Sequence, residues 1–179
     1  MTLVRTVPTA SLTSPERATI RGLLDLAFDG RFDDHDWDHC LGGLHLIITD
    51  AGVPVAHAAV VQRRFLHEER SWRGGYVEGV AVHPQQRGRG LAAAVLTETE
   101  RLINAGYQLG ALSASDDGRG LYLARGWFPW QGQTAVLAPT GLTRTPGDDD
   151  STLVRPVPGG ARLTLTGTLA CDWRDGDLW

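Results

Sequence analysis

Between Val80 and Leu96 the chain reads VAVHPQQRGRGLAAAVL, and this stretch limits the possible folds more than any other. An apolar strand pattern stops at Pro84, which has no amide for a ladder, and a helical pattern runs over 88–106. The QQRGRG handover exposes a row of main-chain N–H groups at a helix N-terminus, where the helix dipole favours an anion. Gly88 and Gly90 let the backbone bend and let a ligand come close, while Arg87 and Arg89 add charge-assisted donors. Such a turn suits a pyrophosphate. It is also compatible with a plain strand-to-helix connection carrying solvated arginines. Dinucleotide binding fits less well, because Gly88, Gly90 and Ala93 satisfy only a relaxed GxGxxA and no acid closes the next strand, LGALSA.

The flanking segments alternate between strand and helix patterns without strict order. LVRTVPTASL (3–12) reads as a strand, and TSPE as a helix start with Ser14 as N-cap and Pro15 in the first helical position. Ile20, Leu23, Leu24 and Ala27 then follow with helical spacing. A short helix is predicted over DDHDWDHCL, ending at Gly42-Gly43. Residues 44–49 and 53–66 form a hairpin pattern, HEERSWRGG a turn, and YVEGVAV (76–82) a strand whose internal Gly79 suggests a bulge or a close backbone approach. Within the helix at 88–106, Leu91, Ala94, Val95, Leu102 and Ile103 face a core and Gly106 caps the end. DDGRGLYLARGW reads as a helix ending at Gly126, and TAVLAPTG and ARLTLTGTLACDW as strands on either side of an acidic loop at 139–150. The expectation is one α+β domain over 1–179 with helices on both faces of a sheet.

Composition removes several classes of function. All seventeen basic residues are arginine, so a Walker A lysine, a Schiff-base lysine and a Ser-Lys dyad are excluded. With a net charge of -4 and no basic stripe, the chain does not read as a nucleic-acid binder. No apolar run is long enough to span a bilayer, and the N-terminal segment lacks the apolar core of a signal peptide, so the expected location is the cytoplasm. Cys40 and Cys171 are too few and too distant for a disulfide framework or zinc site, and the scattered histidines suggest no metal. Acids gather in DDHDWD (33–38), DDD (148–150) and CDWRDGDLW (171–179), which serves solubility or a cationic partner.

Gln85-Gln86-Arg87-Gly88-Arg89-Gly90 resembles the Q/R-x-x-G-x-G/A signature of the GCN5-related N-acetyltransferase (GNAT) superfamily, preceded by the expected strand VEGVAVHP. GYVEGVAV, GYQLGALSAS, LYLARGW, VLAPTG, TRTP and CDWRDGDLW are further similar to aminoglycoside 2'-N-acetyltransferases of mycobacteria and their relatives. The resemblance covers nearly the whole chain. It implies a mixed, mostly antiparallel central sheet with a splayed pair of central strands. It also implies acetyl-CoA as cosubstrate, a polycationic aminoglycoside as acceptor, no metal, and a homodimer.

Transfer of acetyl to an amine needs a base for the ammonium, a donor for the oxyanion and a stabiliser for the departing thiolate. Glu78 is an acid in an otherwise apolar strand, open to reading as an outward-facing residue or as the base; the resemblance favours the base, acting through water. The same resemblance assigns the Val80 amide to the thioester carbonyl, Val80, Ala81 and Val82 to pantetheine, and Gln85, Arg87, Gly88, Arg89, Gly90, Leu91 and Ala92 to the diphosphate. Tyr122 would otherwise be a packed helix residue, and by resemblance it serves the sulfur. A phenol of pKa ~10 passing its proton to a thiolate of pKa ~8.5 works uphill by roughly 2 kcal/mol, which favours a hydrogen-bonding role. Asp36, Glu78, Gly79, Ser113, Asp148, Asp177 and Trp179, with a terminal carboxylate on a large flat side chain, are implied acceptor contacts. Arg31, flanked by Asp29 and Asp33, stands where such relatives carry an acid, which leaves acceptor scope open. The rival expectations are transfer to another amine (a polyamine, an antibiotic intermediate or a protein N-terminus) and an acyl-CoA sensor without turnover.

Overall fold

The computed structural model describes residues 3–179, and the chain divides into two compact units. The first takes the residues up to 61 together with 77–102; the second takes 62–76 and 103–179.

In the first unit, strand β1 (Arg5–Pro8) pairs antiparallel with β2 (Leu44–Asp50), which pairs antiparallel with the leading half of β3 (Val53–His67). His45 stands opposite Ala59, and Ile47 opposite His57. Helix α1 (Ser14–Ala27) buries Ile20, Leu23 and Leu24, as their spacing predicts. Its N-cap is Thr13 rather than Ser14. Thr13 is the last extended residue, its hydroxyl accepts from the Glu16 amide, and the Glu16 carboxylate accepts from the Thr13 amide at 2.8 Å. The T-x-x-E spacing therefore sets the start of the helix, and Pro15 falls one position later than predicted. Helix α2 (Asp34–Cys40) is capped in the same way by Asp33 and Asp36. A core of Val7, Leu12, Ile20, Leu24, Phe32, Cys40, Ile47, Ala59 and Ala81 joins these elements. Helix α3 (Leu91–Gly106) starts three residues later than the periodicity suggests, because Gly88 and Gly90 both take positive φ.

In the second unit, the strand order is β6-β9-β5-β4-β3-β10-β7-β8. The strands are β4 (Arg70–Val82), β5 (Leu109–Ser113), β6 (Phe128–Pro129), β7 (Gln133–Ala138), β8 (Gly141–Arg144), β9 (Thr152–Pro156) and β10 (Thr168–Asp172), with helix α4 (Asp116–Leu123) after β5. The β4–β5 and β7–β10 ladders are parallel; β3–β10, β5–β9, β6–β9 and β7–β8 are antiparallel. This is the mixed, mostly antiparallel α+β sheet expected. The β4–β5 ladder is only three pairs long, Gly74–Tyr76 against Leu109–Ala111, while β4 runs on to Val82. That short ladder is the splayed pair.

Three expectations for this part of the chain are corrected. HEERSWRGG is mostly strand: β3 reaches His67, β4 begins at Arg70, and only Glu68 and Glu69 turn, both with positive φ. The loop at 139–150 contains β8 and a 3-10 turn over Pro146–Asp148. The strand predicted over 161–173 is confined to 168–172, and β9 was hidden between an acidic run and PVPGG.

Candidate active site

Strand β4 carries Glu78, half-buried, directly before Gly79. Gly79 has φ +53°, and a Cβ there would lie 2.9 Å from Cys40 Sγ and 3.4 Å from His57 Nδ1. The internal glycine thus marks both a reversed backbone and a close approach, as its position in the strand suggested. Beyond it, Ala81 joins the core while Val80 and Val82 remain half-buried.

Behind the bend lies a feature that the sequence did not disclose. His57 Nδ1 is 2.8 Å from the Gly79 carbonyl oxygen, His57 Nε2 is 3.0 Å from His45 Nδ1, and His45 Nε2 is 2.8 Å from Thr9 Oγ1. Both imidazoles are fully buried. Burial, together with the nearby Arg17 charge, lowers His45 to about 4. Burial lowers His57 to about 3, outweighing the Gly79 hydrogen bond that favours its charged form. Both rings are therefore neutral near pH 7. The available signal was two histidines, twelve residues apart in an apolar hairpin, whose register sets them diagonally across one face.

The glycine-arginine turn leads from β4 into α3. Gly88 and Gly90 have φ +74° and +77°, with nothing within 4 Å of where a Cβ would stand, so a ligand can approach their backbone. The Gly90 carbonyl accepts the Ala94 amide at 3.0 Å, which makes the amides of Leu91, Ala92 and Ala93 the first turn of α3. The arginines already have partners: Arg87 donates to the Ala27 carbonyl at 3.0 Å and Arg89 to the Gln86 side chain. The Gln85 amide donates to His83 Nδ1 at 3.3 Å. The turn thus presents open glycine backbone and the first-turn amides of α3, while both guanidinium groups are engaged within the chain. Asp36 is half-buried and its carboxylate accepts the Asp33 amide at 2.9 Å, so it caps α2. Arg31 is exposed, donating to the Phe28 carbonyl with Asp29 at 3.9 Å.

In the second unit, α4 holds Tyr122, buried with its ring edge-on to Trp127. Burial pushes its phenol up to about 12. Ser113, Asp148 and Asp177 come together there. Ser113 Oγ donates to Ser151 Oγ at 2.9 Å, Ser151 Oγ donates to the Asp148 carbonyl at 3.3 Å, and the Asp177 charge acts on Asp148. Burial first, and then Asp177 and Asp149, raise the Asp148 carboxyl, against a lowering hydrogen bond from Thr145. Trp179 is buried, its ring 5.8 Å from Phe65. Arg63 holds this segment, donating to Asp172 Oδ1 at 2.8 Å and the Leu178 carbonyl at 2.7 Å. Both cysteines are buried thiols outside any disulfide, and burial pushes Cys171 up to about 11.

In the first unit, then, a strand with a positive-φ glycine leads through a glycine-rich turn into a long helix. The family model for the acetyltransferase (GNAT) domain matches residues 11–129, and the chain belongs to that family. It is 52% identical over 177 residues to the aminoglycoside 2'-N-acetyltransferase of Mycolicibacterium fortuitum, covering 98% of this chain and 91% of that protein. The fold is shared with the GNAT family N-acetyltransferase YhbS of Escherichia coli, solved in complex with CoA. There the TM-score is 0.65 and the identity 19%, over 94% of this chain and 88% of that one. A probable N-acyltransferase of Enterococcus faecalis is also similar, with TM-score 0.60 and 14% identity over 73% of this chain. The present chain spans about a third of the length of that protein, 33%.

Proposed function

We propose that the chain transfers acetyl from acetyl-CoA to the 2'-amine of aminoglycosides by direct attack in a ternary complex. The observation that carries this reading is the 52% identity, sustained over 98% of the chain, to a protein named for that reaction. In the first unit, the amides of Leu91 and Ala92 and the open backbone of Gly88 and Gly90 take the diphosphate. Gln85, Arg87 and Arg89 exchange their present partners for it. Val80, Ala81 and Val82 run beside the pantetheine. Glu78 removes a proton from the ammonium through water, and the freed amine attacks the thioester carbon. The oxyanion meets the Val80 amide; the carbon–sulfur bond then breaks to give the acetamide and CoA. Tyr122, whose phenol is harder to ionise than usual, serves the thiolate as a hydrogen-bond donor. Neither buried thiol supports an acetyl-enzyme intermediate.

Asp148, Asp177 and Ser113 support recognition of a polycation, and Asp36, Gly79 and the segment ending at Trp179 complete the acceptor contacts in this reading. A partly shielded carboxylate about 7 Å from an ammonium is worth ~2 kcal/mol at an effective dielectric of 20. The reading includes cytoplasmic action, a contribution to antibiotic resistance, and a homodimer. Adjacent exposed side chains of Leu137 and Leu142 on the β7–β8 edge support the dimer. The test is CoA release from acetyl-CoA with tobramycin or gentamicin, set against polyamines and peptide N-termini. Release with the drugs above the other amines supports the reading. Release only with the other amines, or CoA binding without release, favours one of its rivals.

A further inference from the structure

The Thr9–His45–His57 chain, with both rings buried, ends on the main chain beside Glu78, and the roles set out above do not use it. Its proton direction follows from its end. The Gly79 carbonyl can only accept, so His57 Nδ1 carries the hydrogen at 2.8 Å. In a neutral ring His57 Nε2 is then bare and accepts from His45 Nδ1–H at 3.0 Å. His45 Nε2 is bare in turn and accepts the Thr9 hydroxyl at 2.8 Å, in preference to the Gly43 carbonyl 3.2 Å from that hydroxyl. Three hydrogen bonds run in one direction toward one carbonyl, in a site without water-exposed surface on either ring. In such a chain each bond polarises the next.

The Gly79 carbonyl and the Val80 amide belong to the same peptide unit. No peptide bond among the described residues is cis, so in this planar unit C=O and N–H point in opposite directions. Holding the carbonyl inward on His57 directs the Val80 N–H away from the histidines. Drawing electron density to the oxygen also makes that N–H a stronger donor. Gly79 has a positive φ, and a Cβ there would meet Cys40, His57 and Leu24, so only glycine fits the backbone that His57 holds.

We propose that His57, backed by His45 and Thr9, is a positioning residue for the transfer: its hydrogen bond to the Gly79 carbonyl aims and polarises the Val80 amide that receives the oxyanion. This rests on the acetyl-transfer reading above and adds to it the residues that set its oxyanion donor.

The experiment compares wild type, His57→Phe and His57→Asn by kcat, KM for acetyl-CoA and CoA affinity. It is combined with 15N NMR of the ring tautomers in the wild-type protein. The expected result is kcat lowered about tenfold in His57→Phe with CoA affinity within about twofold of wild type, since one oxyanion donor is weakened rather than removed. Asparagine places an amide N–H near the former Nδ1, so His57→Asn recovers most of the loss. His57 and His45 both appear as Nδ1–H tautomers, the less common form of neutral imidazole. An Nε2–H tautomer at His57 overturns the proposal whether or not the variants fold. So does a His57→Phe protein that turns over at the wild-type rate, and that result leaves the acetyltransferase reading standing. Wild type inactive on every amine defeats the acetyltransferase reading itself, and the proposal with it.

Discussion

Glu78 gains its chemical opportunity from the residue after it. An acid in a regular strand would alternate between faces with its neighbours, whereas Gly79 at φ +53° breaks that alternation beside it. Glu78→Gln keeps the shape and removes the base, so kcat should fall about 10²- to 10⁴-fold with CoA affinity retained. Stopped assays of CoA release alongside calorimetric titration of CoA check this; loss of affinity in step with rate would assign Glu78 a binding role. Tyr122→Phe should cost less than Glu78→Gln, because a phenol held near 12 donates a hydrogen bond without giving up its proton. At this scale the sequence was informative where one residue type was out of place, as with an acid in an apolar strand or paired glycines before a helix. It was silent on His45 and His57, which acquire meaning only from the hairpin register. It did not announce that Arg63 ties the C-terminal segment down at Leu178 or that the Trp179 ring packs against Phe65.

Elements were legible where periodicity and stop signals agreed. The β2–β3 hairpin, α1, α3 and α4 follow their apolar spacing, and Pro84 ends β4 as expected. Boundaries failed where a tertiary contact outweighed local chemistry. Gly74 and Gly75 look like turn residues but stand opposite Leu109 and Gly110 in a ladder. Thr13 caps α1 because its partner Glu16 lies three residues on. Thr13→Ala should therefore lower stability by about 1 kcal/mol, read as a lower midpoint in urea, while Ser14→Ala should change it little. The hairpin also carries a pH signature. His45 and His57 fall to about 4 and about 3 in the fold. Their unfolded values are near ~6.5. Depressed native values mean that this stabilisation is complete above the unfolded pKa and is lost as pH falls toward the native ones. Between pH ~6.5 and ~5 the unfolded chain should take up about two protons that the native hairpin refuses, a slope that His57→Phe should roughly halve. An unchanged slope in denaturation series at several pH values would contradict the buried neutral pair.

For the whole molecule, the decisive property is the sign of its charge and where that charge collects. A net charge of -4 with no lysine removed several classes of function, and the Asp177 charge acting on Asp148 shows acids brought near one another by folding. Asp148→Asn should raise KM for a polycationic acceptor about threefold to tenfold and leave KM for acetyl-CoA nearly unchanged. Added salt should raise the wild-type acceptor KM in the same direction, since screening at 0.1 M acts over about 10 Å. Among the described residues no helix is long and apolar enough to cross a membrane. The most direct measurement compares kanamycin B with kanamycin A, which differ in carrying an amine or a hydroxyl at the 2' position. Each is incubated with acetyl-CoA, and the product is located by NMR. Acetylation of kanamycin B at the 2' nitrogen, with kanamycin A left unmodified, is the outcome expected here. Equal acetylation of both, at any other nitrogen, would contradict the account.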